Sequence, residues 1–161
     1  MAKNYYFTSY KVEDFWSIIK KHNIDIVIPC NDASVEFFSK NKHLFDVPIV
    51  CPTFEQFALF RDKLHTIRLA EKLSIRVPQT IYEEELGKLY AALREIDRFP
   101  VVIKPRKSEG SRGLYYAKNF EELRNIITSE YVEKYGWPLI QEYIPGREAV
   151  GASFMYKDGK Q

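Results

Sequence analysis

The chain has 161 residues, enough for one domain or two small lobes, and its 45% hydrophobic and 29% charged composition is that of an ordered globular protein without a disordered tail. A formal charge of +2 is too weak a field to argue for nucleic acid as a general partner, so any anion chemistry must come from local clusters. The longest apolar runs fall far short of the roughly 20 residues of a membrane span, and the N-terminus lacks the apolar core of a signal peptide, so the expected location is cytoplasmic.

Val12, Phe15, Trp16 and Ile19 recur at helical spacing and predict an amphipathic helix. "NIDIVIP" follows as a continuous apolar run, the pattern of a parallel strand covered on both faces, and Val47 to Val50 reads as a second strand. Between them Asn31, Asp32 and Ser34 offer capping side chains, so the first 52 residues read as α/β units of an open sheet. Cys30 and Cys51 have no C-x-x-C partner or histidine cluster and are expected to be buried or semi-buried small residues.

Thr53 and Gln56 form a capping box for a long helix whose stripe, Phe54, Phe57, Leu64, Ile67 and Ala70, runs to about Leu73 and carries Asp62 and Lys63. "SIRVPQT" breaks it. Leu86, Leu89, Tyr90, Leu93 and Ile96 predict the next helix, "FPVVIKP" a buried strand, and "GLYYA" a return strand. Asn119 with Glu122 caps a helix bearing Phe120, Leu123, Ile126 and Ile127. From Pro138 the chain is extended through "LIQEYI", turns at Pro145-Gly146 and runs through "EAVGASFMY" to Asp158-Gly159, a hairpin signal with only two residues after it. The reading is that both ends are trimmed and that the chain is a fragment of a longer protein.

The strand ending in Lys104 spills into Arg106, Lys107, Ser108, Gly110, Ser111, Arg112 and Gly113, which lacks both G-x-x-x-x-G-K-[ST] and G-x-G-x-x-G. It nevertheless combines fixed positive charge, hydroxyls and glycine-exposed backbone N–H groups, the donors that polyphosphate oxygens need. One lysine at ~4 Å from one phosphate charge gains roughly 4 kcal/mol at an effective dielectric of 20, so two or three such groups matter in a closed cleft. In "LIQEYI" strand alternation sends Gln141 and Tyr143 to one face and Glu142 and Ile144 to the other.

Taken in order, "RDKLHTIRLAEKLSIRVPQT", "FPVVIKPRKSEGSRG" and "LIQEYIPGRE" resemble the ATP-grasp superfamily, in the style of its carbamoyl phosphate synthase large-subunit and D-alanine:D-alanine ligase members. The resemblance implies an α/β (α+β), incomplete ATP-grasp fold: residues 1–74 as the end of a Rossmann-like domain with its linking helix, 75–137 as the first ATP-grasp lobe, and 138–161 as the opening of the second. It implies that Lys63 and Lys104 reach the nucleotide phosphates and that Gly110, Ser111, Arg112 and Gly113 form the loop folding over them. Gln141, Glu142, Tyr143 and Ile144 match the adenine hinge, with either Gln141 or Glu142 taking the adenine amino group, and Glu148 matches the carboxylate for the ribose hydroxyls. The implied ligands are ATP or ADP and Mg²⁺, with metal ligands beyond Gln161. The implied chemistry is a carboxylate–amine or ammonia ligase acting through an acyl phosphate and inactive as this fragment, with carboxylate and amine or ammonia substrates in the whole protein. Separately from the resemblance, exposed edges at a trimmed terminus would favour pairing with another chain, as in a homodimer. Two other readings stay open from the residues: a non-catalytic nucleotide-sensing module, and an anion- or RNA-binding α/β domain using the basic loop.

Overall fold

The computed structural model describes residues 6, 8–94, 96 and 98–146. They fall into two compact units that are interleaved along the chain. One runs up to Val77 and takes in Pro105–Gly113; the other is built from Pro78–Lys104 and the chain from Leu114 onward.

In the first unit, α1 (Val12–His22) and α2 (Asp32–Asn41) meet through aromatic rings. Phe15 lies 5.1 Å from Phe37 and 4.8 Å from Phe38, which in turn packs on Phe45 beyond a 3-10 turn at Lys42–Leu44. Such tilted and edge-on pairs add about 0.5–1.5 kcal/mol each beyond their buried area. Asn23 ends α1 in the left-handed region at φ 48°, its N–H closing back on the last turn, and Asn31 with Ser34 forms a reciprocal capping box on α2.

The two predicted parallel strands shrink to one parallel bridge, Val27 to Ile49, closed by Val27 N–H to Pro48 O at 3.0 Å and Val50 N–H to Val27 O at 2.9 Å. A run buried on both faces was expected, but Ile26 is 49% and Ile28 61% exposed. Side chains alternate along an extended run, and among the described residues one bridge aligns Val27 without a ladder of neighbouring strands to cover the residues on either side of it. Cys30 is also exposed, against expectation, because it lies at the end of this uncovered run; Cys51 is half-buried.

The long helix expected from Phe54 to Leu73 is two helices, α3 (Phe54–Arg61) and α4 (Lys63–Lys72). Thr53 and Gln56 cap α3 as the sequence indicates. The break is Asp62, whose extended backbone (φ −87°, ψ 106°) lets its carboxylate accept the Leu64 N–H at 3.1 Å and start a new helix. The apolar stripe continues across the break, which is why periodicity alone concealed it.

The second unit holds a four-stranded sheet in the order β1-β4-β2-β3: β1 (Thr80–Ile81), β2 (Val101–Pro105), β3 (Tyr115–Ala117) and β4 (Pro138–Glu142). β1 runs antiparallel to β4, pairing Thr80 with Gln141, and β2 antiparallel to β3, pairing Val102 with Tyr116. "GLYYA" is thus the return strand its pattern indicated. On one face of the sheet Val101, Ile103 and Ile140 join Leu89 and Leu93 of α5 (Leu86–Leu93), Leu123 of α6 (Phe120–Ile126) and Tyr131 of α7 (Ser129–Tyr135) in the core. Alternation along β2 turns Val102 and Lys104 to the other face. Helix α7, capped by Thr128, is an element the sequence reading passed over.

Asn119 Oδ1 accepts the Glu122 N–H at 2.8 Å at the start of α6, and Glu122 accepts in return from the Lys118 N–H at 2.8 Å. Asn119→Ala is expected to lower the stability of this unit by about 1 kcal/mol, read as a shifted urea midpoint with an unchanged slope.

Candidate functional site

Two clusters carry the candidate chemistry, one in each unit. In the first unit the cluster is built on the junction of α3 and α4. Asp62 is almost wholly withdrawn from water, 1% exposed, and Arg106 grips it with two nitrogens, Nε to Oδ1 at 3.1 Å and Nη2 to Oδ2 at 2.5 Å. Burial pushes the Asp62 carboxyl up, but the hydrogen bonds and charge of Arg106, together with the neighbouring His65, outweigh it, and the net direction is below the ordinary aspartate value.

Next to it, Lys63 donates its backbone N–H to Arg106 O at 3.1 Å. Its ammonium donates to Ser108 O at 3.0 Å, to Ser108 Oγ at 3.1 Å and, more weakly, to Arg106 O at 3.5 Å. Burial lowers the Lys63 pKa, while the Asp32 and Asp62 carboxylates pull against that shift. Lys63 and the base of the 106–113 loop are therefore one assembly.

The rest of the loop stands out from this base. Gly110, Ser111 and Gly113 all lie in the left-handed region, at φ 58°, 59° and 73°. A side chain at Gly110 would meet nothing within 4 Å, so glycine answers to backbone conformation there and leaves the loop tip open to approach. Arg112 is largely exposed, its guanidinium 3.9 Å from Glu109.

In the second unit the cluster is a chain of polar contacts across β1, β4 and β2. Lys104 Nζ donates to Gln141 Oε1 at 2.6 Å, Gln141 Nε2 donates to Thr80 Oγ1 at 2.8 Å, and the Thr80 hydroxyl donates to Pro78 O at 2.8 Å. An ammonium can only donate, so the oxygen end of the Gln141 carboxamide must face Lys104 and its nitrogen end must face Thr80. The residue is buried, 7% exposed, and its rotamer is held from both ends.

Glu142 points to the opposite face of β4, half-buried, and its backbone N–H donates to Gln79 O at 3.0 Å. Tyr143 and Ile144 lie past the end of the strand, 39% and 59% exposed, with the Tyr143 ring edge-on to Tyr116 at 6.0 Å. Glu148 lies outside the described residues.

Of the residues singled out in the sequence, Lys63 thus meets its loop and Lys104 meets Gln141. Three partners were not singled out. Arg106 and Ser108 were noted only as part of a basic loop, and Thr80 left no local trace, since its partner is 61 positions away. A helix-capping aspartate followed by a lysine was the available signal for the Asp62 junction. Among the described residues no group of three or more His, Cys, Asp and Glu side chains could hold a metal ion, and no helix is long and apolar enough to cross a membrane.

A family model for the ATP-grasp domain matches residues 60–160. The chain is similar to the D-alanine–D-alanine ligase of Fusobacterium nucleatum, 36% identical over 91 residues that make up 56% of this chain and 27% of that ligase. It is similar over a longer stretch to the carbamoyl phosphate synthase large chain of Clostridium perfringens, 27% identical over 147 residues, 89% of this chain and 14% of that one. Among solved structures, the β-γ-ATP complex of biotin carboxylase from Campylobacter jejuni shares the fold with a TM-score of 0.69 at 16% identity, over 84% of this chain and 32% of that one. The chain spans well under half the length of each of these three relatives.

Proposed function

The chain belongs to the ATP-grasp family, and from that premise we propose that it is the ATP-binding part of an ATP-dependent carboxylate–amine or ammonia ligase. The observation that carries the reading is the 2.6 Å contact between Lys104 and Gln141. The two residues matched to phosphate contact and to the adenine hinge stand side by side on the sheet face opposite the core, although 37 positions separate them.

In this reading residues 1–74 close a Rossmann-like domain, 75–137 form the first ATP-grasp lobe and 138–161 open the second. Lys104 neutralises phosphate charge from the end of β2, and Lys63 does so from the start of α4. Gly110, Ser111, Arg112 and Gly113 supply backbone N–H groups and one cation over the phosphates. Gln141, rather than Glu142, presents its carboxamide to the base edge, because Glu142 is committed to the other face of β4. Tyr143 and Ile144 add apolar surface beside it, and Glu148 the ribose carboxylate.

When bound, ATP would supply a γ-phosphoryl group to a substrate carboxylate, releasing ADP and leaving an acyl phosphate, from which an amine or ammonia would displace inorganic phosphate to form the amide. This chain's residues bind and orient the nucleotide and offset its charge. The described residues do not fit a Mg²⁺ site. A cytoplasmic location belongs to the same proposal.

The test is competition. Titration of the chain with a fluorescent ATP analogue is expected to show saturable binding that ATP and ADP reverse, with only a shallow dependence on salt. Displacement by RNA but not by ATP, with a steep loss of affinity as salt rises, would instead make the loop a general anion surface.

A further inference from the structure

We propose that Asp62 is a positioning residue for Lys63, acting through Arg106 and the base of the 106–113 loop; the proposal rests on the reading of Lys63 as a phosphate contact. A helix cap needs one side-chain oxygen, and an exposed serine would supply it. Asp62 does more than cap. Its Oδ1 accepts both the Leu64 N–H and Arg106 Nε, its Oδ2 accepts Arg106 Nη2, and the whole carboxylate is withdrawn from water. Burying a charge is costly unless it is paired and hydrogen-bonded, so the depth of this group points to a demand beyond starting a helix.

The contacts form a closed ring. From the Asp62 side chain it passes to the Arg106 guanidinium, through the Arg106 backbone to its carbonyl, from there to the Lys63 N–H at 3.1 Å, and back along the chain to Asp62. The planar fork of an arginine on a carboxylate fixes both orientation and distance, which a single contact would not. With residue 106 fixed to the first turn of α4, the carbonyls of Arg106 and Ser108 and the Ser108 hydroxyl fall within reach of the Lys63 ammonium.

A free lysine carries rotamer entropy, which a phosphate would have to freeze on binding. Here the contacts to Arg106 and Ser108 hold it beforehand, and the base of the loop with it. Preorganisation of this kind raises affinity without adding a contact to the ligand.

The experiment measures ATP affinity and amide hydrogen exchange in Asp62→Asn and Arg106→Lys, each alone and combined with Lys63→Ala. Asp62→Asn is expected to weaken ATP about tenfold, within the range that small misplacements of binding groups produce, and to speed exchange at residues 106–108 selectively within the first unit. In the Lys63→Ala background the same substitution is expected to change ATP affinity no further, because its effect passes through that lysine. Arg106→Lys keeps the cation but breaks the fork, and it serves if the aspartate variant does not fold.

Unchanged ATP affinity in both variants would overturn the proposal. So would full additivity with Lys63→Ala, which would mark a purely structural role. A wild-type chain that binds no ATP would defeat the nucleotide reading separately, and exchange at residues 106–108 would then decide whether the clamp holds the loop.

Discussion

Lys104→Ala is expected to weaken ATP binding by about a hundredfold to a thousandfold, the loss that follows removal of one well-placed donor to a developing or fixed anion. Lys104 is half-buried on the sheet face away from the core, so its charge is less screened than that of a fully exposed lysine, and the same Coulomb argument puts one such contact at roughly 4 kcal/mol. The substitution removes no core contact, but it takes a donor from the oxygen of the buried Gln141, so a loss of about 1–3 kcal/mol in the stability of the second unit should accompany it. Lys104→Arg keeps the charge and separates the two effects. Calorimetric titration of both variants with ATP, beside their thermal melts, is the check. If affinity is unchanged in the alanine variant, Lys104 serves the sheet and not a ligand.

The second large effect concerns stability. Asp62→Ala leaves Arg106 without its buried counter-charge and α4 without its cap, and losses of about 3–5 kcal/mol are usual when one partner of a buried pair is removed. The pH dependence has a definite sign. Burial raises the Asp62 pKa, but Arg106 and His65 together lower it by more, so the folded value lies below the unfolded one of ~3.9. Stability from this group is fully present above ~3.9 and is lost as the pH falls through the lower folded value. The gap in urea midpoint between wild type and Asp62→Ala should therefore stay flat near neutral pH and narrow only in strong acid. A gap that is constant down to the acid limit would mean that the charge on Asp62 contributes nothing to the fold.

Much of the second unit was legible because local signals agreed there. β2 announced itself by an apolar run ending in a lysine, α6 by an asparagine–glutamate cap, and β3 by a return after a glycine turn, and each has a neighbour to bury against. The first unit was harder. "NIDIVIP" has the composition of a doubly covered strand, yet composition reports what a segment could bury and not how many partners it meets, and only Val27 forms a bridge. The stripe from Phe54 to Leu73 kept its period through Asp62, so the break showed only in the backbone angles of a residue whose carboxylate pairs with a cation 44 positions away. The candidate site divides in the same manner. Lys63, Lys104 and the loop could be named from their order in the chain, whereas Thr80 and Arg106 act through pairings that no local window contains.

The interleaving of the two units along the chain bears on the order of events during synthesis. A ribosome adding about 5–20 residues per second delivers Asp62 several seconds at most before Arg106, and in that interval the chain carries a carboxylate that lacks the guanidinium it is buried against. The first unit therefore cannot reach its final form as a vectorial intermediate; it waits for residues 105–113, and hence for β2 to have been made. A piece of the protein ended at Val77 would contain every described helix of that unit and still lack Arg106, whose guanidinium pairs with the buried Asp62.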